Sequence, residues 1–194
     1  VLMKHCSVFL DTEFTDFVNM DLISIGLVTA NGEEFYGENL SFNQSASSEF
    51  VRDIVYPLLK PLQFGKPRSE LSASLWEWID ELPYDQITMM LDYQKDYDLL
   101  INLLGEVHPK FLWTSNIFSM FTAEAIMRNG VDKFRPMATG LREVFDKESA
   151  AFYSETEFEH HALSDAKSNK YGFNAAMKTL GPKFAVGPIQ RTQF

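Results

Sequence analysis

Residues 7–16 read SVFLDTEFTD, an apolar run that ends in two carboxylates, Asp11 and Glu13, with one residue between them. Val8, Phe9 and Leu10 mark a strand inside a core. In a strand, residues i and i+2 point to the same face, so Asp11 and Glu13 stand side by side. Left unpaired, they repel and raise one another's pKa. A divalent cation removes that cost, because hard cations such as Mg²⁺ take oxygen ligands. The stretch asks for two things at once: a buried strand, and further ligands brought to its end by the fold.

The rest of the chain supplies a sheet for that strand. DLISIGLVTANGEEFYGEN reads as a hairpin, with Leu22 to Ala30 and Glu34 to Glu38 flanking an Asn31-Gly32 turn, the strongest short-range hairpin signal. The chain thus opens with three antiparallel strands. Val51, Ile54, Val55, Leu58 and Leu59 recur at helical spacing before Pro61, and ELSASLWEWIDEL predicts a second helix. ITMMLDY (87–93) is a strand signal and KDYDLLINLLGE a helix ending near Gly105; KFLWTSN and FSMFTAEAIMRNG repeat the pair. HHALSDAKSNKYGFNAAMKTLG is the last helix, bounded by Gly181. Strands alternating with helices imply parallel strands joined by crossovers. The expected fold is α/β: a mixed five-stranded sheet, three antiparallel strands and then parallel ones, with helices on both faces. The three tryptophans, Trp76, Trp78 and Trp113, are assigned to packing.

With 194 residues and no Pro/Gly/Ser-rich linker, one domain over residues 1–181 is expected, followed by an irregular tail at 182–194. No apolar stretch approaches the roughly 18 residues that span a bilayer, and the N-terminus lacks a basic-then-apolar leader layout. A cytoplasmic protein without a membrane partner is the expectation. The single cysteine, Cys6, excludes an intramolecular disulfide and a cysteine-based zinc cluster. A net charge of −10 argues against a broad basic surface for nucleic acid. It suits a cluster of carboxylates whose field bound cations reverse.

Two further segments carry candidate ligands. In DYQKDYDLL, Asp92 lies inside the predicted strand, and Asp96 and Asp98 fall where strand turns into helix, the end of an α/β sheet at which ligands collect. In EHHALSDAKSN, His160 and Asp165 are five residues apart. On one helix they would diverge by about 140°. They converge if His160 sits on the loop before the helix and Asp165 one turn inside it.

Asp-x-Glu on the first strand, an Asp at the start of a later helix and His-x-Ala-x-x-Asp near the end together resemble the DEDDh group of 3′-5′ exonucleases. The hairpin resembles that of a small bacterial and phage branch with exoribonuclease activity. The resemblance spans about Phe9 to Ala176 and implies a ribonuclease H-like fold. Asp11 and Glu13 match the first motif; His160, Ala162 and Asp165 match the last, with His161 at its variable position. For the central acid, Asp96 followed by Leu99 fits the pattern, and Asp98 followed by Ile101 fits less well. Many relatives carry that acid in an Asn-x-x-Phe-Asp stretch, which SNIFSMF (115–121) resembles with Met120 in the acid's place. Asp96 is favoured because a strand-to-helix junction precedes it.

The resemblance implies a metal-dependent 3′-5′ exonuclease acting on the 3′ ends of single-stranded RNA or DNA, RNA favoured, and releasing nucleoside 5′-monophosphates. Hydrolysis of a phosphodiester needs an activated water and stabilised charge on the attacking and leaving oxygens, which two cations about 3.5–4 Å apart supply. Asp11 is expected to bridge two Mg²⁺ ions, for which Mn²⁺ substitutes, with Glu13 and Asp165 completing one site and Asp96 the other. His160 takes the water's proton, and His161 is a bystander. Single strands are gripped by aromatic stacking; Phe14, Thr12 and Tyr97 are the candidate substrate contacts, with Tyr93 beside them. Phe14 faces away from the carboxylates if the strand runs on and reaches a base if it kinks. Alternatives are a DNA exonuclease of proofreading or phage type and a catalytically silent binding module of the same fold. A homodimer is implied by resemblance alone.

Overall fold

The strand that carries the two carboxylates, β1 (His5–Phe14), runs through the middle of the sheet. In this computed structural model, which describes residues 3–153 and 157–181, it pairs antiparallel with β2 (Leu22–Thr29) and parallel with β5 (Gln86–Leu91). The hairpin from β2 to β3 (Glu34–Asn39) closes through Gly32 at φ +104°, a conformation that costs glycine alone no steric penalty. The predicted tail at 182–194 lies outside the described residues.

The sheet order is β4-β3-β2-β1-β5-β6, with β4 (Gly65–Lys66) and β6 (Phe111–Asn116) at the edges. It has six strands instead of the expected five. The extra one, β4, is two residues long and pairs with the end of β3, too short to leave an alternating pattern in the sequence. The expected antiparallel-then-parallel arrangement is otherwise present.

Alternate residues of β1 feed two cores. Val8 and Leu10 face α2 (Arg68–Glu81) and α3 (Gln94–Leu104), where Leu71, Leu75, Leu100 and Leu103 are buried against them. Phe9 faces the opposite layer, built from α4 (Ile117–Asn129), α5 (Arg135–Phe152) and α6 (Ala162–Lys178), and packs with Phe121, Phe145 and Phe173. Helix α5 falls in a stretch where no element is expected from the sequence. The helix expected over residues 51–59 is instead a π-helical turn, Val51–Val55, and a 3₁₀ turn, Tyr56–Leu58, followed by the four-residue α1 (Pro61–Phe64). Pro57 explains the break, since it has no N–H to donate and its ring crowds the preceding turn. Val51 and Val55 still pack on Ile23, while Ile54 is exposed.

Trp76 and Trp78 pack on the first core as expected. Trp113, on the edge strand, keeps nearly half of its surface exposed.

Candidate metal centre

Because β1 and β5 are parallel neighbours, their carboxyl ends open on the same side of the sheet. Their last registered pair is Phe9 with Met90; two residues further along stand Asp11, still in β1, and Asp92, just past the end of β5. Helix α3 begins at Gln94, with Asp96 in its first turn. Ligand oxygens of Asp11, Asp92 and Asp96 lie within 4.8 Å of one another.

The third segment arrives through α6. Gly26 pairs with Asp11 on β2, and a Cβ at Gly26 would overlap the backbone of Ala162 and Leu163. The missing side chain lets the start of α6 rest on the sheet beside Asp11. His160 sits on the loop before that helix at φ +64°, and its N–H donates to Asp165 Oδ2 at 3.0 Å. The Asp165 amide in turn donates to the His161 carbonyl. Glu13, His160 and Asp165 form a second group whose ligand atoms lie within 4.8 Å of one another. The loop-then-helix placement that the spacing required is the one observed.

Burial dominates the electrostatics. It holds the Asp11 carboxyl well above the usual carboxylate range, with Asp96, Asp165, Glu13 and Asp92 adding repulsion. Burial likewise pushes Glu13 up to about 8 and Asp96 and Asp165 to about 7. Hydrogen bonds to Asp96 from Thr12 and to Asp165 from Tyr153 act in the opposite direction. None of the five carboxylates forms an ion pair with lysine or arginine among the described residues. Asp96 Oδ2 and Asp92 Oδ1 are buried without a hydrogen-bond partner among the described residues. Such oxygens, all hard donors, fit divalent cations.

Thr12 is enclosed in the fold. Its side chain is 4% exposed on the α3 face of β1, and its hydroxyl donates to Asp96 Oδ1 at 2.7 Å. It positions a ligand. Tyr97 is part-buried and packs against Phe111 at the edge of the first core. Asp98 is paired with Lys95 at 2.9 Å and half-exposed, and Met120 packs on the second core. Of the candidates for the central acid, Asp96 is the one beside Asp11. His161, expected to face solvent or the helix, is half-buried and stacks on Tyr36 at 4.4 Å.

Phe14, which packs in part on the first core, belongs to a three-ring group beside Glu13 and Asp92 in the chain, 5.2 Å from Phe17 and 6.4 Å from Tyr93 between ring centroids. The strand register shifts between Glu13 and Phe14, where Ile23 of β2 is the unpaired residue. Phe17 is 75% exposed and Tyr93 42%. On the other side, Phe50 meets the His160 ring edge-on at 4.9 Å.

The sequence reading placed Asp92 in a strand without a role and passed over Phe17, Phe50 and Tyr153. Asp92 carried a signal, one helical turn before Asp96. Tyr153, whose hydroxyl donates to Asp165 Oδ1 at 2.7 Å, lies at the end of the unanticipated α5. Phe17 and Phe50 sit in irregular stretches with no periodicity to place them.

No protein-family model matches the chain. Two curated proteins, each named a 3′-5′ exoribonuclease and from two strains of Mycobacterium tuberculosis, CDC 1551 / Oshkosh and ATCC 25618 / H37Rv, are 31% identical to it over 98 residues. The match covers 42% of this chain and 57% of each relative, so the chain spans somewhat over half the length of the curated relatives it matches. Among solved structures, E. coli ExoI, crystallised with single-stranded DNA in a zinc-bound form, matches with a TM-score of 0.55 and 12% identity. That match covers 95% of this chain and 42% of ExoI. The fold is the ribonuclease H-like exonuclease fold expected from the sequence, and the resemblance to 3′-5′ exonucleases is borne out by the named relatives.

Proposed function

We propose that the chain is a divalent-metal-dependent 3′-5′ exonuclease that shortens single-stranded nucleic acid, RNA in preference to DNA, and releases nucleoside 5′-monophosphates. The observation that carries this is the convergence of Asp11, Glu13, Asp96 and Asp165, with His160, from three distant segments onto one end of the sheet. The preference for RNA follows the relatives named exoribonucleases, and a single-stranded polymer suits a fold neighbour crystallised with single-stranded DNA.

Mg²⁺ or Mn²⁺ would be held by Asp11, Glu13, Asp96 and Asp165, supplying an activated water and neutralising charge on the reacting phosphate. His160, at the edge of the Glu13–Asp165 group, accepts the attacking water's proton on a ring nitrogen. The αL backbone at His160 and its N–H bond to Asp165 hold the imidazole over the carboxylates. Phe50 limits the ring's swing from the other side. Phe14, Phe17 and Tyr93 offer aromatic faces beside Glu13, where the base of a frayed 3′ end stacks.

A denaturing-gel time course tests the reading on 5′-labelled single-stranded RNA and matched DNA, with Mg²⁺, Mn²⁺ or EDTA. The expected result is a metal-dependent ladder shortening from the 3′ end, faster on RNA and lost in Asp96→Asn and His160→Ala. Intact polymers under every metal would overturn it in favour of a silent binding module. Faster shortening of DNA would transfer the activity to that polymer.

A further inference from the structure

Asp92 stands outside the four-carboxylate pattern that the resemblance implies. It is the first residue beyond β5, one turn of chain before Asp96, and its ligand oxygen lies within 4.8 Å of those of both Asp11 and Asp96. Cation–oxygen bonds run from about 2.0 Å for Mg²⁺ to about 2.6 Å for Ca²⁺, so oxygens on opposite sides of one ion are about 4–5 Å apart. The group fits around a single ion.

The hydrogen bonding leaves one oxygen of Asp92 and one of Asp96 available. Asp96 is 2% exposed; Thr12 occupies its Oδ1, and Oδ2 has no partner among the described residues. Asp92 repeats the arrangement: Asn169 of α6 and the Asp92 and Tyr93 backbone amides bond its carboxylate, and the buried Oδ1 has no partner among the described residues. Two buried carboxylate oxygens left unpaired, each beside the other's charge, are costly unless a cation joins them. Four carboxylates balance two divalent ions; Asp92 is a fifth, so both ions are more than neutralised before any phosphate arrives.

We propose that Asp92 is a metal ligand, forming with Asp11 and Asp96 a cation site that fills in the absence of nucleic acid. The inference rests on the reading of this cluster as the divalent-metal centre of an exonuclease. Its consequence is a second ion that stays resident between turnovers instead of entering with substrate.

Calorimetric titration of the full chain with Mn²⁺, without nucleic acid, tests it. Wild type is expected to bind two ions. Asp92→Asn keeps the ion at Glu13, His160 and Asp165 and binds the other at least tenfold more weakly. Asp98→Asn, which removes the same charge from an exposed position, leaves both unchanged. Retention of the first ion shows that the Asp92 variant is folded. Two ions bound by Asp92→Asn as by wild type would overturn the assignment, as would a wild type that binds one ion only. Loss of both ions in Asp92→Asn would do the same, by making Asp92 a structural residue. The gel assay on the same preparations separates this inference from the proposed function. Two ions and the expected Asp92→Asn loss without RNA or DNA shortening would sink the exonuclease reading alone. Shortening with unchanged Asp92→Asn binding would sink the ligand assignment alone.

Discussion

Thr12 and Phe14 both neighbour Glu13 and lie on the same face of the sheet, but Thr12 is buried against Asp96, while Phe14 meets the exposed rings of Phe17 and Tyr93. Their substitutions therefore separate. Thr12→Val leaves Asp96 Oδ1 buried and unpaired, which is expected to cost about 1–3 kcal/mol of stability and to lower kcat. Thr12→Ser restores both. Urea unfolding and single-turnover rates measure the two effects, and an unaltered kcat in the valine variant would remove Thr12 as a positioning group. Phe17→Ala touches an exposed ring, so stability stays within about 0.5 kcal/mol of wild type. Binding of short RNA is expected to weaken by about 1–3 kcal/mol, the worth of one stacked base. Fluorescence anisotropy with a labelled oligonucleotide would detect it, and equal affinities would take Phe17 out of the platform.

At the scale of elements, the site depends on where two helices begin. Helix α3 starts right after β5 and brings Asp96 to Asp11, while α6 starts on the bare backbone of Gly26 and brings Asp165. Gly26→Ala introduces a Cβ where the backbone of Ala162 and Leu163 already lies. The start of α6 must lift, at a cost of about 1–3 kcal/mol. Mn²⁺ binding at the Glu13–His160–Asp165 group is expected to weaken more than binding at the Asp11–Asp96 side. Calorimetry showing both unaffected would mean that α6 is positioned by its packing on α5 instead. That packing is close: Ser149 and Ser168 exchange hydrogen bonds across the two helices. Helix α5 had a readable signal in Met137, Leu141, Val144 and Phe145, spaced for one helical face, with Leu141 and Phe145 buried. Pro136 and Gly140 in its first turns weaken that pattern, which is why it did not stand out.

Over the whole molecule, the uncompensated carboxylates set a pH dependence. Glu13 at about 8, and Asp96 and Asp165 at about 7, all lie above ordinary carboxylate values because of burial. The folded state therefore binds protons that the unfolded chain has already released. Stability from these groups is present at acidic pH and is lost as pH rises through about 7 to 8. In EDTA, Tm is expected to fall between pH 5.5 and pH 8.5, and saturating Mg²⁺ to reverse the fall by favouring the ionised carboxylates. Thermal scans at the two pH values check it; a Tm in EDTA that is flat or rising would contradict the burial of these acids. Among the described residues no helix is long and apolar enough to cross a membrane.

The sequence by itself determined five of the six strands, the antiparallel opening of the sheet and the chemistry at β1: period-2 alternation, an Asn-Gly turn and an Asp-x-Glu pair are local signals, readable because a few neighbouring residues decide them. It also placed His160 and Asp165 a loop and one turn apart, since backbone geometry fixes that relation. Only the tertiary structure decided that Asp96, not Asp98 or the Met120 stretch, meets Asp11, that Asp92 joins them, and that Phe17 and Phe14 share a surface. Those choices depend on where parallel strands end and how closely α6 approaches Gly26, which are set by packing between segments some eighty to one hundred and forty residues apart.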